Sequence, residues 1–223
     1  MSYQADAEML AAAARSGASG SNRFYRDRAK RVIDVTVVLL AFGPVLLTVG
    51  LLAILIALDG ANPFYSQRRV GRGGRVFRMW KLRTMVPDAD AVLDAHLASD
   101  PGLRAHWDRH QKLPRDPRVT TIGGMLRKCS LDELPQVLNV LWGDMSLVGP
   151  RPMTEEQRAM YPGADYFLMR PGMTGLWQVS ARHDSSFADR AWFDGTYFHS
   201  QSLRTDLGVL ARTVGVVLRG TGC

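Results

Sequence analysis

The feature that most constrains this chain is an apolar run that begins within its first quarter. From Val35 to Leu58 no residue carries a charge. The run is long enough for a helix to cross the roughly 30 Å hydrocarbon layer of a bilayer. A core helix of a soluble protein this long usually shows a polar stripe, and none is visible. A cleaved signal peptide fits poorly, because the stretch is too long and begins too far from Met1. Two features argue against a straight crossing. Gly43-Pro44 lies near the middle, where proline removes a backbone donor and favours a kink. Basic residues also flank both ends: Arg23, Arg26, Arg28, Lys30 and Arg31 before it, and Arg68, Arg69, Arg72, Arg75 and Arg78 after it. The positive-inside tendency puts both flanks on the cytoplasmic side. A bent helix that enters and leaves one leaflet satisfies both observations. Asp34, where the helix enters, is expected at the interface or paired with a cation such as Arg31.

The rest of the chain reads as one domain. Residues 1–22 are expected to form a disordered tail: Ala11 to Ala14 could make a short helix, but Ser16 to Asn22 has linker composition. Residues 23–62 carry the basic flank and membrane helix, and residues 63–223 a cytosolic, membrane-associated domain. Phe64 to Val70 and Arg75 to Leu82 read as a short β-hairpin around Gly71-Arg72-Gly73-Gly74. Residues 88–112 read as helix interrupted at Pro101-Gly102. Helix resumes around Ile122 to Arg127, again after Ser130, and finally from Leu203 to Leu218. The fold class is therefore α+β, mainly helical.

The formal net charge of +7 favours anionic partners. The aromatics do not interleave with the basic residues as on a stacking surface, so nucleic acid is not expected. The five histidines show no ligand spacing, and Cys129 reads as a packing residue. The sharpest candidate is Asp132-Glu133 within Ser130-Leu131-Asp132-Glu133-Leu134-Pro135-Gln136. Adjacent carboxylates can bind a divalent cation, act as nucleophile or move protons. They also fit a plain helix start, because Ser130 with Glu133 is a capping-box pattern. Lys81, Arg83, Arg127, Arg151, Arg170 and Arg182 lie at element ends or in Pro/Gly-bounded turns. Arginine suits phosphate through its planar fork of donors. Together these residues suggest a metal-dependent phosphoryl-transfer site.

Several ordered stretches carry a resemblance. They are Lys30-Arg31-Val32-Ile33-Asp34, Gly43-Pro44, Phe64 to Gly71 and Lys81-Leu82-Arg83-Thr84-Met85. Asp116-Pro117-Arg118-Val119-Thr120, Leu126 to Gln136, Gly143 to Pro152 and Arg170 to Val179 continue the series. Over roughly residues 24 to 218 the chain resembles the bacterial sugar transferases, or monotopic phosphoglycosyl transferases. Among them it is most similar to short exopolysaccharide-priming members. The resemblance implies a re-entrant membrane helix and a catalytic domain on the cytoplasmic face of the bacterial inner membrane. It implies transfer of a hexose 1-phosphate from a UDP-sugar, guessed as glucose or galactose, to undecaprenyl phosphate, with release of UMP. By similarity Asp132 is the nucleophile that forms a sugar-phosphoryl-aspartate. Mg²⁺ would bind Asp132 and Glu133, and Glu133 would support the metal or move a proton. Arg127 and Arg151 match positions that hold phosphate; Lys81, Arg83, Arg170 and Arg182 are weaker carry-overs. Membrane lipid is a further partner, and the oligomeric state is left open, a homo-oligomer included. The alternatives are a glycosyltransferase that releases UDP and a non-catalytic basic membrane module.

Overall fold

The computed structural model describes residues 24–110, 113, 116–180 and 187–219. The reading of residues 1–22 as a tail lies outside them. Among the described residues the chain is mainly helical, with two small two-stranded sheets.

A π-helical turn, Tyr25–Ala29, runs directly into α1, Lys30–Ala57. The helix is continuous across Pro44. The hydroxyl of Thr48 donates to the Pro44 carbonyl at 2.9 Å, a back-bond that tends to bend helices. One stripe of α1, comprising Asp34, Val38, Val49, Ala53 and Ile56, is buried against the rest of the protein. Elsewhere on the helix Leu39, Leu40, Leu46, Leu47, Leu51, Ile54 and Leu55 are exposed. Only 11% of its most apolar stretch is buried within this chain, which by itself does not bury α1 as a core helix. An apolar surface this large needs a lipid or protein cover.

Both ends of α1 are tied to the same domain. At the N-terminal end Ser146 donates to Asp34 at 2.6 Å, and Lys30 lies 3.8 Å from Asp34. Asp34 is thus paired with a nearby cation, as expected, but the cation is Lys30 and not Arg31. Lys30 lies one turn before Asp34 on the buried stripe, whereas Arg31 points to another neighbour. Arg31 donates to the carbonyls of Val140 and Leu141, the latter at 2.9 Å. At the other end Arg83 donates to Asp59 at 2.6 and 2.8 Å and to the Ile56 carbonyl at 3.3 Å.

Strands β1 (Phe64–Val70) and β2 (Val76–Leu82) form the expected hairpin, with Phe64 opposite Leu82 and Val70 opposite Val76. β2 begins one residue later than the sequence reading, because Arg75 belongs to the turn. Gly73 and Gly74 take φ of 68° and 77°, which explains the glycines there. Helices α2 (Ala89–Ala98) and α3 (Pro101–His110) fill the expected helical region, broken where Pro101 stands. Helix α4 is Thr121–Lys128, capped by the Thr120 hydroxyl accepting from Gly123 N at 2.9 Å.

Helix α5 (Gln136–Trp142) packs on β2 through the fully buried Asn139. The Asn139 amide donates to the Arg78 carbonyl at 2.7 Å and accepts from Trp80 N at 3.1 Å. It thereby satisfies edge groups of the hairpin that burial would otherwise leave unpaired.

The sequence reading did not find β3 (Ser146–Val148) and β4 (Gly172–Thr174), which pair in parallel. Three-residue strands are too short for a visible alternation. Their glycines are explained by close backbone approach. A Cβ added at Gly172 would stand 2.1 Å from Gly149 N, and one at Gly149 2.4 Å from the Arg170 carbonyl oxygen. Gly172→Ala is therefore expected to destabilise the protein by about 3 kcal/mol or more through overpacking against backbone. Thermal unfolding in detergent checks this; an unchanged midpoint would refute the close approach. Helices α6 (Leu176–Ser180), α7 (Arg190–Ser200) and α8 (Leu203–Leu218) close the core over β3 and β4. The last has the expected bounds.

Candidate active site

Asp132 and Glu133 stand on a single 3₁₀ turn, Leu131–Glu133. Ser130 before it has φ of 55°, and its side chain caps nothing. The capping-box reading thus fails. Helix α5 starts only after Pro135, which leaves the carboxylate pair on a separate short turn between α4 and α5. Asp132 is buried, at 7% exposure, and burial raises its carboxyl above the usual range. The charges of Lys81 and Arg127 oppose that shift, and Glu133 adds to it.

β2 delivers Lys81, whose ammonium is 2.7 Å from Glu133 Oε1 and 3.9 Å from Asp132 Oδ2. Arg127, at the end of α4, donates from Nε to the Thr84 hydroxyl at 2.8 Å. Three elements thus meet at the carboxylates. A cleft beside them is lined by Arg69, Lys81, Glu133, Gln136, Arg151 and Gln178 among others. Arg151 comes from the loop after β3, held by the Gly149–Gly172 contact.

The sequence reading missed Arg69 and Arg190. Arg69, on β1, donates to the Pro152 carbonyl at 3.3 Å and to Gln67 at 2.6 Å. Its Nε is buried without a partner among the described residues. Burial, then the charge of Arg151, lowers its proton affinity. Arg190 opens α7 and lies over the rings of Trp177 and Phe187, at 4.2 and 4.9 Å. Burial, then Arg151, pushes it down to about 10. Arginines that depress one another's affinity for protons mark a place where an anion is wanted. Arg69 lay inside a stretch singled out in the sequence, but its strand position gave no sign of convergence. Arg190 had no local signal, since its aromatic neighbours are distant or unmotivated in sequence.

The remaining candidates are elsewhere. Arg83 is engaged with Asp59 and the end of α1, an anchoring role. Arg170 donates to the Gly143 carbonyl at 2.9 Å and lines a different cavity. Arg182 lies outside the described residues. Cys129 is exposed rather than packed. Asp116 and Arg118 pair at 2.7 Å within their own loop.

Asp132 and Glu133 are hard oxygen donors of the kind magnesium takes. Among the described residues no group of three or more His, Cys, Asp or Glu could hold a metal alone. The pair therefore fits a cation that completes its shell with water and substrate phosphate, as magnesium commonly does.

Near the arginines, Asp194 is buried and accepts from the Tyr161 hydroxyl at 2.7 Å. Burial pushes its carboxyl up to about 7, against the hydrogen bond and the Arg190 charge. The folded state then holds a proton that the unfolded chain releases near pH 4, so stability falls as pH rises from about 4 to 7. Asp194→Asn is expected to remove this fall, worth on the order of 2–4 kcal/mol. Its unfolding midpoint should gain on wild type between pH 5 and pH 8. A constant difference would refute the shift.

A family model described as "Bacterial sugar transferase" matches residues 25–220. The chain is 46% identical over 207 residues to a UDP-galactose-lipid carrier transferase of Erwinia amylovora, covering 92% of this chain and 43% of that protein. It is 48% identical over 169 residues to the undecaprenyl-phosphate galactose phosphotransferase of Salmonella typhimurium, covering 75% and 36%. It is 42% identical over 209 residues to the exopolysaccharide production protein ExoY of Rhizobium meliloti, covering 92% of each. The chain thus spans less than half of the first two relatives and nearly all of the third.

Proposed function

The chain belongs to the bacterial sugar transferase family, and we propose that it moves a hexose 1-phosphate from a UDP-sugar to undecaprenyl phosphate. UMP is released, and the sugar is glucose or galactose. The step is the first membrane reaction of exopolysaccharide synthesis, on the cytoplasmic face of the bacterial inner membrane. α1, within residues 23–62, enters and leaves one leaflet, and residues 63–223 form the catalytic domain. The docking of both ends of α1 on one domain supports this topology.

The observation that carries the reading is a buried, raised carboxylate beside a lysine-held glutamate and an arginine-lined cleft. In the first displacement an Asp132 oxygen attacks the β-phosphorus. The bond from that phosphorus to the bridging oxygen breaks, and its electron pair leaves with UMP. In the second, an oxygen of undecaprenyl phosphate attacks the same phosphorus and frees Asp132. Burial strips water from the Asp132 carboxylate and keeps it basic, which suits a nucleophile. Lys81 fixes Glu133 and offsets the charge that both carboxylates bring. Arg151 and Arg69, which line the cleft, present N–H groups to the phosphates, and the nearby Arg190 adds positive charge. Held by Asp132 and Glu133, Mg²⁺ would neutralise charge on the diphosphate.

The test is to incubate purified protein with UDP-glucose or UDP-galactose, Mg²⁺ and undecaprenyl phosphate. UMP is the expected nucleotide product; UDP instead would mean transfer of the sugar alone. In the same assay Arg151→Ala is expected to lose about 2 kcal/mol of a charge-assisted contact, hence more than roughly tenfold in kcat/KM. Arg151→Lys should recover only part, lacking the bidentate fork. Wild-type kinetics in Arg151→Ala would remove it from the site.

A further inference from the structure

A second cavity, of about 260 Å³, opens beside the first turns of α1 and shares no lining residue with the transfer cleft. Arg26, Lys30, Arg31, Arg72 and Arg170 line it, against the carboxylates of Asp27 and Asp34. Two of the cations are already engaged: Lys30 with Asp206 at 2.5 Å, and Arg31 with the α5 carbonyls. The other three keep open donors. Arg26 lies over the Phe198 ring at 4.6 Å, with only Nε near Asp27, at 3.5 Å. Among the described residues Arg170 donates through Nε alone, and the Arg72 side chain makes no hydrogen bond or ion pair. Burial, then the charges of Arg31 and Arg72, lowers the proton affinity of Arg170. Gln201, at 3% exposure, also lines the cavity, and its Oε1 has no partner among the described residues. Guanidinium groups crowded together are costly until an oxygen-rich anion joins them, and the buried Gln201 oxygen needs a donor of its own.

We propose that this cavity binds the phosphodiester headgroup of an anionic membrane phospholipid, at a site separate from sugar-phosphate transfer. It has none of the carboxylate pair that the transfer chemistry needs, since Asp132 and Glu133 lie at the other cleft. A phosphate with a short polyol fits, and a headgroup hydroxyl can satisfy the Gln201 oxygen. The cavity lies at the foot of α1, a helix with exposed apolar residues such as Val32, Val37 and Leu40, and half-exposed Leu168 stands on its rim. Acyl chains can follow that apolar face while the phosphate sits among the arginines, as in basic pockets at membrane surfaces. The undecaprenyl phosphate acceptor is a different ligand, because its phosphate must reach Asp132. The inference rests on the seating of α1 in the membrane but not on the transfer chemistry.

The test titrates the full-length protein in detergent with phosphatidylglycerol or phosphatidylcholine and counts bound lipid by native mass spectrometry. Phosphatidylglycerol is expected to bind at least roughly tenfold more tightly, and the double variant Arg26→Gln/Arg72→Gln to lose that preference. Asp132→Asn should keep it while losing transfer. Equal affinity for the two lipids, or an unchanged preference in the double variant, overturns the proposal. Inorganic phosphate that competes with phosphatidylglycerol supports the shared phosphate chemistry. Inorganic phosphate that binds the arginines but is not displaced by phosphatidylglycerol assigns the cavity to a soluble anion and overturns the lipid. Flotation on vesicles separates the premises: failure to float with any vesicle refutes the seating of α1, whereas flotation without the preference refutes only the cavity.

Discussion

An Asp132→Asn protein is expected to release no measurable UMP, a loss on the order of a thousandfold or more. An amide is a poor nucleophile and a poorer metal ligand than a carboxylate. The substitution is nearly isosteric and removes a buried charge whose main perturbation is desolvation. Its unfolding midpoint should therefore not fall, which separates a chemical role from a structural one. A carboxylate nucleophile divides the transfer into two displacements and requires ping-pong kinetics. Wild-type protein given UDP-sugar and Mg²⁺ without acceptor should carry a sugar-phosphate mass on the Asp132 peptide, and Asp132→Asn should carry none. Glu133→Gln should slow turnover yet still allow some adduct, since Lys81 keeps a hydrogen-bond acceptor there. If rapid-quench mass spectrometry finds no adduct and the kinetics require a ternary complex, transfer is direct and Asp132 is at most a metal ligand.

What the sequence made legible was local. The apolar run, the hairpin with its glycine turn and the amphipathic Leu203–Leu218 helix each follow from periodicity and turn chemistry over a few consecutive residues. Asp132-Glu133 stood out because two carboxylates between basic turns are visible in one dimension. Convergence was not. Arg69 reaches the cleft because β1 pairs with β2, and the Arg190 charge comes near Arg69 and Arg151 because α7 packs on Trp177, contacts between segments far apart in the chain. Arg83 and Arg170 carry the same charge in similar turns, yet Asp59 and the Gly143 carbonyl hold them elsewhere. Residue type cannot separate these cases; the partner of each guanidinium does. The β3–β4 pair escaped for a related reason. Its strands are three residues long, and what specifies them is the fit of Gly149 against Gly172.

The second large effect lies outside the cleft. Asp206 on α8 is 5% exposed and accepts from the hydroxyls of Tyr25 and Tyr197, both at 2.7 Å, while pairing with Lys30 at 2.5 Å. Asp206→Ala would leave the Lys30 ammonium buried with only Asp34 at 3.8 Å, and two tyrosine hydroxyls without this acceptor. Breaking one side of a buried pair costs about 3–5 kcal/mol, because the remaining charge keeps its desolvation penalty. The exposed Arg68–Glu155 pair, at 69% and 41% side-chain exposure, is the control: Arg68→Ala should change stability by less than about 1 kcal/mol. Replacing both charges, as Lys30→Met/Asp206→Leu, should recover only part of the loss: the buried ammonium is gone, but Asp34 loses its cation and the tyrosine hydroxyls still lack this acceptor. Denaturant unfolding in detergent measures all three. An Asp206→Ala protein within about 1 kcal/mol of wild type would mean that water reaches Lys30 and that the network does not hold the first turn of α1 to α8.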